Sequence, residues 1–181
     1  GFTWTVQQIA TRDNLHDVVF VDSQTGWAVG NSGILLHTAD GGGTWTSQTS
    51  GTASNLTCVD FVDNQTGWAA GLLSSILHTV DGGVTWIARP LVEAVGIKDV
   101  DFVDSLNGWA LGWASDLRIW HTRTGGAIWE NRDLPKGTWG LNDLLVFSRN
   151  SATSRPGLGF GAADKHGDPQ RCAAIRNISK S

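Results

Sequence analysis

Methionine and tyrosine are absent from this 181-residue chain, cysteine occurs twice and proline four times. Each scarcity excludes something. Without Tyr there is no nucleophile of the kind retaining sialidases use. Cys58 and Cys172 sit at non-equivalent places and make no disulfide framework. Without Met, residue 1 reads as a product of processing, trimming or excision from something longer. No run approaches the ~18 apolar residues of a membrane span, and no charged-then-apolar leader opens the sequence. Charged residues make up only 17%, with a formal net charge of -4, which argues against a general phosphate-backbone binder and predicts no nucleic-acid partner. With 40% hydrophobic residues and 23 Gly, the chain is nevertheless globular rather than disordered. Ten Trp stand against zero Tyr.

What is present is a repeat. Asn14-Leu15-His16-Asp17-Val18-Val19-Phe20-Val21-Asp22, followed by Gly26-Trp27-Ala28-Val29-Gly30, returns as Asn55-Leu56-Thr57-Cys58-Val59-Asp60-Phe61-Val62-Asp63 and Gly67-Trp68-Ala69-Ala70-Gly71. A third copy reads Ile97-Lys98-Asp99-Val100-Asp101-Phe102-Val103-Asp104 and Gly108-Trp109-Ala110-Leu111-Gly112. Each copy closes alike, in Leu36-His37-Thr38-Ala39-Asp40-Gly41-Gly42-Gly43-Thr44-Trp45 and Leu77-His78-Thr79-Val80-Asp81-Gly82-Gly83-Val84-Thr85-Trp86. The third closing is worn, with Thr124 where Asp stands in the others.

Within one unit, short apolar runs end in turn clusters, and no segment holds a 3.6-residue period over ten residues. Four short strands in about 41 residues match one blade of a β-propeller, whose faces are buried only by stacking on neighbouring blades. The expected fold is therefore all-β: one propeller domain over 1–181 with about four blades. The repeats run approximately 14–54, 55–96, 97–140 and a degenerate 141–181. Gly1-Phe2-Thr3-Trp4 matches Gly83-Val84-Thr85-Trp86, so the N-terminal strand, within 1–13, is expected to close the fourth blade. A monomeric ring, a homodimer that completes an eight-bladed ring, and a piece of a longer propeller all fit this arithmetic.

The element Thr-x-Asp-x-Gly-x-x-Trp, at Thr38, Asp40, Gly42 and Trp45 and again at Thr79, Asp81, Gly83 and Trp86, is the Asp-box, or bacterial neuraminidase repeat. The longer unit, with Val-x-Phe, Gly-Trp-Ala-x-Gly and Leu-His-Thr before Asp-Gly-Gly-x-Thr-Trp, resembles the repeats of photosystem II stability and assembly factors and their bacterial relatives. The resemblance covers about 1–147 well and 148–181 poorly. It implies a secreted, periplasmic or lumenal propeller that binds another protein and assists its assembly without catalysis. Asp-box propellers also include sialidases and xyloglucan hydrolases, so fold alone does not fix function.

The Asp-box residues read as structural: a short Asp accepts backbone N–H bonds in a tight turn, Gly takes positive φ, and Trp packs beneath. Asp22, Asp63 and Asp104 read as turn caps. His37, His78 and His121 share one repeat position and are spread around successive blades, too far apart for metal–ligand bonds near ~2 Å, so no metal is expected. No cofactor motif is read either. Asp17, Asp60, Asp99, Asp101 and Asp143 fall on the first strand of each blade, which lines a propeller's channel. They read as a solvated acidic ring, or as the carboxylates of a glycoside hydrolase. Trp113 and Trp139 have no Trp counterparts in the other copies. An exposed Trp beside Arg118 or Arg123 makes a platform for a sugar or an anchor for a protein. Charge is uneven: residues 1–148 hold 7 basic against 15 acidic side chains, and 149–181 hold 6 against 2. The reading preferred is a non-catalytic protein-binding scaffold. A carbohydrate-binding lectin is the alternative, and a hydrolase using the channel acids is third.

Overall fold

The computed structural model describes residues 7, 9, 11–73, 75–91, 94, 96–113 and 116–132, together with the backbone of 145–147 and 157–159. Three sheets of four antiparallel strands dominate. The first blade comprises β1 (Leu15–Phe20), β2 (Gly26–Gly30), β3 (Leu35–Thr38) and β4 (Thr46–Ser47), paired in that order. The second comprises β5 (Leu56–Phe61), β6 (Gly67–Gly71), β7 (Ile76–Thr79) and β8 (Ile87–Ala88). The third comprises β9 (Gly96–Phe102), β10 (Gly108–Trp113), β11 (Leu117–Thr122) and β12 (Glu130–Arg132). A two-stranded sheet, β13 (Leu145–Phe147) with β14 (Gly157–Gly159), falls in the fourth repeat. The described residues contain no α-helix, only a 3-10 turn at Asn31–Gly33. The architecture is that of a partial β-propeller. The expected closure by the N-terminal strand lies outside the described residues.

The repeat is a stacking device. Trp27 on β2 lies flat on Phe61 of the next blade, with ring centroids 3.5 Å apart and planes 7° off parallel. Trp68 on β6 does the same to Phe102, at 3.5 Å and 2°. Each indole N–H then donates to a carbonyl in that neighbour's Asp-box turn, Trp27 to Gly82 and Trp68 to Gly125, both at 3.1 Å. Within a blade the same Phe meets the Asp-box Trp edge-on, as Phe61 does Trp86 at 5.9 Å. Trp27, Trp68, Phe61 and Phe102 are wholly buried. Burying a Trp removes roughly 150–250 Å² from water, about 4–6 kcal/mol, against about 1 kcal/mol for a typical hydrogen bond. The aromatic ladder therefore carries more of the blade-to-blade cohesion than the turns do.

Glycine before each of these tryptophans is a consequence. A Cβ at Gly67 would lie 2.5 Å from three ring atoms of Phe61, so only hydrogen fits there. The first blade shows the interface half made. Val18 is 50% exposed, whereas its equivalents Val59 and Val100 are 5% and 3% exposed under the preceding blade.

The turns close as local chemistry dictates. Asp22, Asp63 and Asp104 each accept two backbone N–H groups two and three residues on, at 2.7–2.8 Å. In the second Asp-box turn, Asp81 accepts the Thr85 amide at 2.9 Å and the Thr85 hydroxyl at 2.6 Å. The Thr79 hydroxyl donates to Asp81 at 2.8 Å and accepts the Gly83 amide at 2.9 Å. Gly83 sits at φ 87°, where a side chain is strained. Asp40 repeats these bonds with Thr38 and Thr44, and Gly42 repeats the backbone at φ 91°. The fourth strand begins after this turn, at Thr46, not at Thr44 as the strand pattern suggests. In the worn third copy Thr124 accepts the Ile128 amide at 2.9 Å, one bond where a carboxylate makes more.

Candidate functional site

Each blade has two ends. The turn after the first strand and the Asp-box turn share one end, tied by bonds such as Gly82 N–H to Gln65 O at 2.8 Å. The turn between the second and third strands lies at the other end, where the chain enters the first strand, tied by Leu72 N–H to Asn55 O at 3.0 Å. The Asp-box residues are thus held away from this second end, in turns whose carboxylates are already engaged. Hydrogen bonds from the Thr85 hydroxyl and amide, then from Thr79, hold the Asp81 carboxyl down at about 2. The Thr44 amide, with the Thr44 and Thr38 hydroxyls, lowers Asp40 in the same way.

The second end is built on a β-bulge in every blade. Pairing of the first and second strands skips one residue between Leu15 and Asp17, between Leu56 and Cys58, and between Ile97 and Asp99. The extra residues are His16, Thr57 and Lys98, three equivalents in the repeat. A bulge re-aims the side chain it carries. His16 Nε2 reaches Asn31 Oδ1 at 2.6 Å, and Lys98 Nζ stands 4.4 Å from the centre of the Trp113 ring. Thr57 donates instead across the blade junction to Ile97 O at 2.7 Å. Asn31, Leu72 and Trp113 are themselves equivalents, each just after the glycine that ends the second strand. Trp113 therefore does have counterparts in register, although neither is a Trp.

Apolar surface gathers at the second and third blades. Leu72, Leu73 and Trp113 are 42%, 76% and 43% exposed. Gly96 lies between two of them: Leu72 bridges to it, Trp113 pairs with it, and a Cβ there would meet Leu72 at 3.4 Å and Trp113 at 3.9 Å. Leu73 has φ 57°, a left-handed conformation that costs a branched side chain about 1–2 kcal/mol. The other exposed apolar residues at the Asp-box end, Val80, Val84, Leu106 and Ile128, stand on turn tips.

The expected cationic neighbours of Trp113 are placed differently. Arg123 follows Thr122 at the far end of β11, about 20 Å along the strand from Leu117, the partner of Trp113. Arg118 pairs with Gly112, one position from Trp113, and alternation turns it to the opposite face of the sheet. Lys98, absent from the sequence-based reading, is the cation on the ring. Only the bulge brings it there. Trp139 and Asp143 lie outside the described residues.

The first-strand acids are not a solvated ring. Asp60 is wholly buried and accepts the Phe102 amide of the next blade at 2.6 Å. Asp17 is half-buried and accepts the Val59 amide of its neighbour at 2.8 Å. Asp99 and Asp101 are buried as well. Two of these carboxylates thus tie innermost strands of adjacent blades together. His37, His78 and His121 each pack on the Gly-Trp indole of their own blade, at 5.1, 5.0 and 4.3 Å between ring centres. Burial lowers the pKa of all three. Among the described residues, no three metal-ligating side chains come together. Cys58 is buried as a free thiol, and Cys172 lies outside the described residues.

Comparison with known proteins agrees with this geometry. A solved structure described as YCF48 bound to D1 peptide is 28% identical, with a TM-score of 0.61, over 68% of this chain and 42% of that chain. YCF48 from Cyanidioschyzon merolae is 24% identical, with a TM-score of 0.60, over 68% of this chain and 41% of that one. This chain therefore spans about two fifths of the length of either. An ancestral GH74 enzyme shares the fold alone, at 13% identity and a TM-score of 0.53 over 66% of this chain and 20% of its own. No curated protein matches. The family profile for photosynthesis system II assembly factor YCF48 matches residues 2–95, just over half of the sequence. This chain belongs to that family.

Proposed function

We propose that this chain is a protein-binding propeller segment that holds a peptide of its partner during assembly, as a photosystem II assembly factor would. The observation that carries the reading is the contiguous apolar surface of Leu72, Leu73 and Trp113 at the end opposite the Asp-box turns. Scattered exposed apolar residues are ordinary, whereas a contiguous group containing a Trp is the kind of anchor that protein interfaces use. The relative solved with a D1 peptide supplies the ligand class, an unfolded segment rather than a sugar or a nucleic acid. Secreted, periplasmic or lumenal residence follows from the same reading. The acids tied into inter-blade hydrogen bonds lend no support to the hydrolase alternative.

The test is titration calorimetry of the D1 peptide into the chain and into Trp113→Ala. Losing an exposed aromatic anchor is worth about 2 kcal/mol, a roughly thirtyfold weakening. Trp113 is near the surface, so the variant keeps its melting temperature. Equal affinity in the two proteins would remove Trp113 from the site, and capture of a glycan in place of peptide would favour the lectin.

A further inference from the structure

The two described blade junctions are finished differently at this end. At the first, the Asn55 side chain fills the space beside the preceding blade's turn, and its Oδ1 accepts the Ser32 amide at 3.0 Å. At the second, the residue in the place of Asn55 is Gly96, which brings no side chain. Leu72 and Trp113 close over it instead, both within 4 Å of where its Cβ would be. The polar plug of one junction is an apolar seam at the next. The frame beneath is the same in both, since Ser32 and Leu73 share φ 57°.

The seam lies beside positive charge in a body that is otherwise acidic. Lys98 sits over the Trp113 ring, and Arg118 is one ladder position away. These are two of only 7 basic residues among the first 148, against 15 acidic ones. The edge of the seam thus favours an anion where the surrounding surface repels one.

We infer that the Leu72–Gly96–Trp113 seam is a subsite for one apolar side chain of a partner peptide that carries a carboxylate beside it. The apolar group lies across Leu72, Leu73 and Trp113, continuing the blade junction outward, and the carboxylate faces Lys98. The bulge residue and the residue after the second-strand glycine are then the positions that select the ligand. The pairs differ from blade to blade: His16 with Asn31, Thr57 with Leu72, Lys98 with Trp113. This inference rests on the peptide-binding reading, and it names the peptide chemistry that reading leaves open.

The decisive variant is Gly96→Asn, which copies the first junction into the second. A Cβ at this position meets its neighbours at ordinary contact distance, so the fold accepts it. Two probes are used: the D1 peptide, and a phage-displayed random peptide library panned on the wild-type chain. The wild type is expected to select sequences pairing an apolar residue with Asp or Glu. Gly96→Asn should bind those peptides at least tenfold more weakly while keeping its melting temperature within a few degrees. Lys98→Thr, which copies blade 2, should abolish the salt dependence of binding. Should Gly96→Asn melt early, Leu72→Asn, copying Asn31, carries the same test.

Equal binding by wild type and Gly96→Asn, or selection of peptides without carboxylates, overturns the inference. If that happens with the D1 peptide bound, the assembly-factor reading stands alone. If the D1 peptide is ignored but apolar–acidic library peptides are bound and then lost in Gly96→Asn, the subsite stands and the assembly-factor reading falls. Binding of neither probe overturns both.

Discussion

Replacing Gly67 by Ala isolates what the aromatic ladder is worth. The added Cβ would lie 2.5 Å from three ring atoms of Phe61, about 1 Å inside ordinary contact. The ring cannot retreat, because Trp27 is stacked on it at 3.5 Å and is itself anchored by its bond to Gly82. Relief requires opening the junction between the first two blades. Overpacking of this kind costs about 1–3 kcal/mol, and the reduced freedom of the unfolded chain returns only about 0.4–1 kcal/mol. A net loss of about 2 kcal/mol lowers the melting temperature of a chain this size by roughly 4–8 °C. The internal control is Gly26→Ala. There the Cβ meets Phe20 at 2.7 Å, but that ring is partly exposed and has room to swing outward. Paired thermal melts should show Gly67→Ala falling by several degrees more than Gly26→Ala. Equal losses would refute the argument that the stacked Trp, rather than the glycine turn itself, makes the position intolerant.

Trp68→Phe keeps an aromatic ring on Phe102 but removes the N–H that Gly125 O accepts. Leaving that carbonyl unmet costs about 1–3 kcal/mol, visible as a lower urea midpoint with unchanged slope. The Asp81 carboxyl is held at about 2, below its ordinary value of 3.8, so its contribution is full above pH ~4 and fades as pH falls towards 2. Asp81→Asn should flatten that acid limb of the stability curve, followed by melts between pH 5 and 2. His78 and His121 are shifted downward by burial, so the unfolded chain takes up their protons first. Stability from these imidazoles is present above pH ~6.5 and declines as pH falls below it, and His78→Gln should shrink the difference between melts at pH 7 and pH 5.

What the sequence makes legible follows from what repeats. Trp27, Trp68 and Trp109 recur because each blade must present the same ring to its neighbour, so strands, blades and turn caps can be read from spacing alone. A β-bulge leaves no mark on that spacing. Leu15, His16 and Asp17 look like an alternating strand, and nothing in the letters says that His16 is extra. The partnership of Lys98 with Trp113 was illegible for that reason, and Arg123 was misplaced because nearness along a hairpin says nothing of which end a residue occupies. The acids were misread for a related cause. Asp17 and Asp60 belong to the innermost strand, but each meets a backbone amide of the next blade, a contact set by the offset between sheets rather than by any pattern within one.

That division between repeating and varying positions bears on function. A residue held in all three blades has its partners supplied by the fold: Phe61 by Trp27 and Gly67, or Asp81 by Thr79 and Thr85. Its side chain is spent on structure, however reactive its chemistry. The bulge and the position after the second-strand glycine are geometrically repeated yet chemically free, since the backbone forms the same bulge around His, Thr or Lys. Such positions can change ligand preference without disturbing the stack. Leu73 marks the limit of that freedom. A turn that accommodates Ser32 at φ 57° keeps the same backbone for an exposed leucine, at a cost of about 1–2 kcal/mol. Leu73→Gly should recover that cost as higher thermal stability while weakening peptide binding, the opposite signs expected of a strained residue used for contact. Both quantities falling together would mean that Leu73 serves the turn and not the ligand.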